Sequence, residues 1–141
     1  MQRKASAVWQ GGIRHGKGTI STESNTLSSA PYSFGTRFEN ATGTNPEELL
    51  GAAHAGCFSM ALALQLGEAG ITHERIDTEA TVTLEKLATG FTITQVHLDV
   101  MIAAPGADRA KVDEAAQKAK VGCPLSKVLR AEITMDARLA T

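Results

Sequence analysis

A long apolar segment with helix signals at both ends most constrains what this chain can fold into. It runs from Asn45 to Gly70 and reads NPEELLGAAHAGCFSMALALQLGEAG. Asn45 is a good N-cap, Pro46 suits the first helical position, and Gly70 suits the end of a helix. The apolar side chains between these signals leave almost no polar face, so the predicted helix is either buried on all sides or spans a membrane.

The membrane alternative is the weaker of the two. The apolar part has about the length of a spanning segment, but it contains His54, Ser59 and Gln65, and no other segment resembles it. With a net charge of −1, one Trp, one Tyr and four Phe, the chain also lacks the basic and aromatic surface of a nucleic-acid-binding protein. We therefore expect no membrane and no nucleic acid as partners.

The rest of the chain is typical of strands and shorter helices. Alternating apolar and polar side chains between turn residues predict six strands. They cover 5–10, 13–22, 32–38, 78–87, 91–103 and 133–139. Asp108 can cap a second helix that ends at Gly122, and Pro124 can begin a short third helix with Val128 among its inward residues. The order β-β-β-α-β-β-α-α-β predicts a single α+β domain over 1–141.

The long helix also predicts an oligomer. One sheet shields only one side of a helix, so something else must cover the other side, and a second copy of the chain is the cover that we expect. The sequence therefore predicts a symmetric homodimer. The N-terminal residues MQRKASAVWQ are basic but have no apolar stretch behind them, so we expect no signal peptide and a cytoplasmic protein.

The two cysteines are the first candidates for chemistry. Cys57 lies about 16 Å along the predicted helix, beyond the reach of the helix dipole, and its helix carries no Lys or Arg. An activating cation must therefore come from elsewhere. Cys123 lies between Gly122 and Pro124, at a predicted helix N-terminus that favours a thiolate, so it looks the better activated thiol. Structural explanations remain open for both residues: Cys57 as an inert core cysteine, and Cys123 as a capping residue in a tight turn.

Three other side chains are weaker candidates. His54 lies three residues before Cys57, so both occupy one helix face, and a Cys–His pair or a metal site is conceivable. The other histidines show no ligand spacing, which argues against a metal. Arg37 and Glu47 can also be explained without a catalytic role. Arg37 is then a solvent-facing residue, and Glu47 interacts favourably with the helix dipole. No hydrolase, Walker or dinucleotide motif is present.

Three motifs together resemble a known family. They are NPEEL from Asn45, AAHAGCFSMAL around Cys57 and GCPLS around Cys123, with further matches in KGT at 17–19, FGTRF at 34–38 and GT at 43–44. In these motifs, and nearly from end to end, the chain is similar to the osmotically inducible protein C (OsmC) and organic hydroperoxide resistance (Ohr) family. The residues around both cysteines resemble its OsmC branch.

The resemblance implies both a fold and a site. The fold is an intertwined homodimer in which antiparallel sheets wrap around long central helices, with the active sites at the interface. The site is that of a thiol peroxidase, with Cys57 as the peroxidatic residue, Cys123 as the resolving residue, and Arg37 and Glu47 completing it. Because Glu47 lies about 15 Å from Cys57 along one helix, we expect Arg37 and Glu47 to serve the Cys57 of the other subunit.

The implied cycle needs no metal, flavin or other cofactor. The Cys57 thiolate attacks an organic hydroperoxide, and the sulfenic acid then condenses with Cys123 to a disulfide. A dithiol reductant, for example of the lipoyl type, restores both thiols. The cycle would serve defence against oxidative or osmotic stress.

Apolar side chains are expected to form a substrate wall that favours organic hydroperoxides over hydrogen peroxide. They are Phe34, Phe38, Leu50, Phe58 and Met60. The alternative that remains open is a non-enzymatic, dimeric, hotdog-like stress protein whose long helix lines a pocket for an apolar ligand.

Overall fold

The computed structural model describes all 141 residues, which form ten helices and strands. In chain order they are β1 (Ala5–Gln10), β2 (Lys17–Thr22), β3 (Ala30–Tyr32), α1 (Phe34–Phe38), α2 (Pro46–Glu68), β4 (Arg75–Leu87), β5 (Gly90–Ala103), α3 (Arg109–Gly122), α4 (Pro124–Val128) and β6 (Glu132–Leu139). They belong to two compact units, Met1–Leu49 and Leu50–Thr141. The single domain over 1–141 stays a prediction.

The N-terminal unit contains an antiparallel sheet in the order β1-β2-β3. Gln10 pairs with Lys17, so the predicted strand over 13–22 begins too early and residues 11–16 form a loop. The backbone N–H of Gly16 donates to the carbonyl of Gly12 at 2.7 Å. A Cβ at Gly16 would lie 2.4 Å from that oxygen, so this loop requires glycine there.

The predicted strand over 32–38 is wrong. β3 ends at Tyr32, and Phe34–Phe38 form helix α1. Ser33 caps this helix: its Oγ accepts from the backbone N–H of Thr36 at 3.3 Å, while Thr36 Oγ1 accepts from the N–H of Ser33 at 2.8 Å. This capping box satisfies donors that begin a helix. Local capping therefore overrides the apolar alternation, which lasts too few residues to distinguish a strand from a single helical turn.

Helix α2 begins where the sequence predicts, because the Oδ1 of Asn45 accepts from the N–H of Glu48 at 2.7 Å. Its buried stripe consists of Gly51, His54, Phe58, Leu62 and Leu66. Met60 and Leu64, however, are 78% and 60% exposed, so the chain alone does not cover this helix on all sides. By length and composition α2 is able to cross a membrane, a test that the core helix of a soluble protein also passes. The homodimer stays a prediction.

The C-terminal unit contains a sheet in the order β4-β5-β6. β4 and β5 are antiparallel, but β5 and β6 are parallel, which departs from the antiparallel sheets of the sequence-based expectation. The reason is the crossover through α3 and α4, since parallel neighbours need a long connection. The alternation of β5 is confirmed, because its inward residues are fully buried. They are Val96, Leu98, Val100 and Ile102.

Helices α3 and α4 complete the C-terminal core. Asp108 caps α3 as predicted, accepting from the N–H of Ala110 at 2.9 Å. Leu125 and Leu129 pack against the core, but Val128 is 70% exposed, so its predicted inward position is wrong. Helix α4 ends at Val128, and Leu129 already has an extended backbone, so the helical spacing that predicts one shared face does not continue through all three residues.

Candidate active site

The two cysteine sulfurs lie in contact within the C-terminal unit. Their Sγ atoms are 3.0 Å apart, with the Cys123 thiol donating to Cys57, and both cysteines are free. A disulfide bond is about 2.05 Å long, so the sulfurs need to approach by only about 1 Å to bond. Cys123 is fully buried, whereas Cys57 keeps part of its surface exposed.

The N-terminus of α4 faces Cys57 rather than Cys123. The backbone N–H of Leu125 has no partner inside this short helix, as is usual for a first turn, and it donates to the Cys57 sulfur. Cys123 is the N-cap residue, but its side chain makes no capping hydrogen bond. The sequence predicts that this helix terminus activates Cys123, whereas in the structure the first-turn N–H donates to a sulfur from another helix.

The local environment holds Cys57 as a thiol. Burial raises the pKa of Cys57, contact with the Cys123 thiol raises it further, and the N–H of Leu125 acts in the opposite direction. The balance favours the protonated form. A thiolate at Cys57 therefore needs an additional positive group, as the lack of Lys and Arg in α2 indicates.

Arg37 and Glu47 form an ion pair in the N-terminal unit. The Nε of Arg37 donates to both carboxylate oxygens of Glu47, at 3.1 and 3.3 Å, and Nη2 donates to Oε1 as well. The side chain of Glu47 is 13% exposed and that of Arg37 is 32% exposed. The better enclosed carboxylate thus orients a guanidinium that is still partly open to solvent.

Asn45 holds the two members of this ion pair in place. Its Oδ1 caps α2 through the N–H of Glu48, and its Nδ2 donates to the carbonyl of Thr36 at 3.1 Å. One side chain therefore fixes both the first turn of α2, which carries Glu47, and the end of α1, which carries Arg37. The sequence reveals the first of these two roles but not the second.

Two of the predicted wall residues form an aromatic pair in α1. The rings of Phe34 and Phe38 lie 4.8 Å apart between centroids. Arg14 lies over the ring of Phe34 at 5.0 Å, and Arg37 lies over the ring of Phe38 at 5.1 Å. The aromatic pair therefore packs against the guanidinium that the family resemblance assigns to the site.

The other predicted wall residues lie on α2. Phe58 is fully buried in the core and Met60 is exposed, while Leu50 is half-buried. Phe58 and Met60 are two residues apart in a helix, so they face nearly opposite sides. They therefore do not belong to one wall within a single subunit, and the remaining wall residues stay a prediction.

His54 and Cys123 are the two fully buried titratable side chains. The family resemblance gives Cys123 a role in the site but gives none to His54. Its Nε2 lies 2.9 Å from the Oγ of Ser126 in α4, while its Nδ1 is buried without a partner. Burial lowers the pKa of this imidazole below its ordinary value. The ring is therefore neutral at pH 7 and links α2 to α4.

The fold and the paired sulfurs define a two-cysteine redox protein of the α+β class. The family of OsmC-like proteins matches residues 39–138. The chain is 57% identical over 139 residues to peroxiredoxin OsmC of Escherichia coli (strain K12), covering 99% of this chain and 97% of that protein. The chain therefore belongs to the OsmC-like family, and the resemblance seen in its motifs is confirmed.

More distant relatives agree with this family. The chain is 30% identical over 99 residues to the organic hydroperoxide resistance protein of Xanthomonas axonopodis pv. citri, covering 70% of this chain and 68% of that protein. The crystal structure of the organic hydroperoxide resistance protein OhrB of Bacillus subtilis is similar at a TM-score of 0.68 and 27% identity, covering 97% of this chain and 98% of that chain. An OsmC-like protein from Vibrio cholerae has a TM-score of 0.76 at 15% identity, covering 98% and 99% of the two chains. The predicted OsmC-like fold is thereby confirmed.

Proposed function

We propose that this chain is a thiol-dependent peroxidase that reduces organic hydroperoxides to alcohols, acting in the cytoplasm against oxidative or osmotic stress. Its relatives are named peroxiredoxin OsmC and organic hydroperoxide resistance protein, which supports a peroxide-detoxifying redox protein. The observation that carries the proposal is the 3.0 Å contact between the sulfurs of Cys57 and Cys123. Two thiols in contact can deliver two electrons to a peroxide and end as a disulfide.

The unequal burial of the two sulfurs supports Cys57 as the peroxidatic residue and Cys123 as the resolving residue. A peroxide can reach Cys57, whereas Cys123 is fully buried. The Cys57 thiolate attacks one peroxide oxygen, so an S–O bond forms, the O–O bond breaks, and the alcohol leaves after taking up a proton. Cys123 then attacks the sulfur of the sulfenic acid, so an S–S bond forms, the S–O bond breaks and water leaves. Two thiols and one hydroperoxide thus give one disulfide, one alcohol and one water.

The ion pair supplies the positive group that this first step needs. Because burial and Cys123 raise the pKa of Cys57, a nearby cation is needed to favour the thiolate. The guanidinium of Arg37, oriented by Glu47 through two donors, can stabilise the thiolate and donate to the peroxide oxygen that becomes the alcohol.

A homodimer is part of this proposal. Met60 and Leu64 leave an apolar stripe of α2 exposed, and a second copy of the chain would bury such a stripe favourably. Since Glu47 and Cys57 are about 15 Å apart along one helix, we assign Arg37 and Glu47 of one subunit to the Cys57 of the other.

Peroxide consumption by the purified protein tests the proposal. With dithiothreitol and cumene hydroperoxide we expect many turnovers and cumyl alcohol as the product. Cys57→Ser is expected to abolish consumption, and Cys123→Ser is expected to consume about one peroxide per subunit before it stalls as sulfenic acid. The non-enzymatic alternative predicts no turnover and a bound apolar ligand that is retained when both thiols are removed.

A further inference from the structure

We infer that His54 and Ser126 form a positioning pair that holds the start of α4 against Cys57, so that Cys123 resolves the sulfenic acid before a second peroxide reacts with it. This inference rests on the proposed function and adds a role for two residues outside the reacting thiols and the Arg37–Glu47 pair.

Two neighbouring contacts join α2 to the segment that runs from Cys123 into α4. Cys57 and Cys123 meet at 3.0 Å, and His54 and Ser126 meet at 2.9 Å. His54 and Cys57 are three positions apart in α2, a spacing that places them on one helix face. Cys123, the N-cap residue of α4, is likewise three positions before Ser126. The histidine–serine hydrogen bond is therefore the neighbour of the sulfur contact, one helical turn away.

Helix α4 depends on this contact for its orientation. It has only five residues, and so short a helix is not stable without tertiary contacts. Leu125 and Leu129 pack on the core, but apolar packing is not directional. Among residues 124–128, Ser126 makes the only side-chain hydrogen bond. Together with the Leu125 N–H that donates to Cys57, it gives the start of α4 a directional contact with α2.

The burial of His54 also indicates a role beyond filling the core. The side chain is fully buried, and its Nδ1 has no partner. A buried polar atom without a hydrogen bond is unfavourable, and an apolar side chain in the same space avoids that penalty. The histidine therefore contributes something that an apolar residue does not, and its only polar contact leads to α4.

The position of α4 matters most at the sulfenic acid of Cys57, which has two possible fates. Attack by Cys123 forms the S–S bond, breaks the S–O bond and releases water. Attack on a second hydroperoxide adds an oxygen to the sulfur, breaks the O–O bond, releases an alcohol and leaves a sulfinic acid. Only the first reaction is intramolecular, so only its rate depends on how accurately Cys123 is held.

The ratio of sulfinic acid to disulfide therefore tests the pair. Wild type, Ser126→Ala, Ser126→Thr and His54→Leu are each treated with excess cumene hydroperoxide without reductant, and mass spectrometry measures the state of Cys57. Ser126→Ala and His54→Leu are expected to raise the ratio about tenfold. Ser126→Thr keeps the hydroxyl and is expected to stay near wild type. The double variant is expected to show no further increase, because both changes remove the same hydrogen bond.

Ser59→Ala is the matched control. Ser59 lies two residues after Cys57 in the same helix, and its Oγ lies 2.8 Å from Thr78 Oγ1 in β4. Its loss removes a similar hydrogen bond but not one to α4, so the ratio is expected to stay at the wild-type value even if the melting temperature falls. A ratio that rises equally in Ser59→Ala, or that rises in Ser126→Thr as in Ser126→Ala, overturns the inference.

The wild-type protein separates this inference from the proposed function. If wild type forms no Cys57–Cys123 disulfide under peroxide, the proposed function fails. If wild type forms the disulfide and Ser126→Ala gives the same ratio of sulfinic acid to disulfide as wild type, only the positioning role fails.

Discussion

The Sγ of Cys123 donates to the Sγ of Cys57 across 3.0 Å, although 66 positions of sequence separate the two residues. The contact is asymmetric, because Cys123 is fully buried and Cys57 is partly exposed. Any molecule that enters the site from solvent therefore meets Cys57 first. In the proposed cycle, this applies to the peroxide and equally to a reductant that returns the disulfide to two thiols.

We predict that the reductant attacks the disulfide at the sulfur of Cys57. Exchange requires access of the attacking thiolate to one sulfur, and the other sulfur departs as a thiolate. Brief treatment of the oxidised protein with glutathione, followed by acid quenching and peptide mapping, is expected to find the adduct on Cys57 and a free thiol at Cys123. An adduct found mainly on Cys123 contradicts this order of attack.

Arg37→Met is expected to lower kcat/KM for an organic hydroperoxide by about 10²-fold or more, because it removes a charged donor aimed at developing charge. Glu47→Gln is expected to have a smaller effect in the same direction, since it weakens the orientation of the guanidinium. The measurement is the initial rate under saturating dithiol.

The control for the Arg37 prediction is Arg75→Met. Arg75 pairs with Asp77 at 2.9 and 2.8 Å through its Nε, but this ion pair is exposed, with side chains 74% and 50% accessible. Exposed pairs contribute little, so the variant is expected to keep its kcat/KM. Equal losses in both variants would mean that general destabilisation explains the effect.

Some of this arrangement can be predicted from the sequence because it depends on local signals. The N-cap at Asn45, the alternation of β5 and the cap at Asp108 are of this kind, and the structure confirms all three. The helix over 34–38 also has a local signal, the capping box of Ser33 and Thr36, but the apolar alternation over the same residues predicts a strand. The alternation covers few residues, so the capping box is the more reliable of the two signals, and it predicts the helix that the structure shows.

The features that the sequence does not reveal are contacts between distant segments. The parallel pairing of β5 with β6 depends on the long crossover through α3 and α4. The N–H of Leu125 reaches Cys57 only because α4 packs against α2. Spacing along the chain places the α4 terminus beside Cys123, and only the packing of the two helices shows that it serves the other sulfur.

The burial of His54 predicts a loss of stability in acid. Burial lowers the pKa of its imidazole from the ordinary value of 6.5, so below that value the unfolded chain binds a proton that the folded chain does not. The stabilising contribution of neutral His54 is therefore fully present above about pH 6.5 and is lost as the pH falls towards the folded-state pKa.

The measurement for this prediction is the free energy of unfolding by urea at pH 8 and at pH 5. Wild type is expected to lose more stability between the two values than His54→Leu, which has no group to titrate at this position. His15→Leu is the control, because His15 is exposed in the loop at 11–16, and it is expected to keep the wild-type pH dependence. Identical pH dependence of wild type and His54→Leu contradicts the prediction.

The last prediction concerns substrate preference and depends on the aromatic pair of α1. Phe34 and Phe38 lie 4.8 Å apart beside Arg37, so a substrate held by that guanidinium can bury an apolar group against the rings. An aryl hydroperoxide buries about 100 Å² more than hydrogen peroxide, which is worth about 2 kcal/mol. If the contact persists in the transition state, kcat/KM for cumene hydroperoxide exceeds that for hydrogen peroxide about thirtyfold. Phe34→Ala is expected to lower this ratio severalfold, whereas Phe91→Ala, which truncates an exposed ring in β5, is expected to leave it unchanged. A wild-type ratio at or below one rules out the apolar wall, even if the chemistry of the two thiols is as proposed.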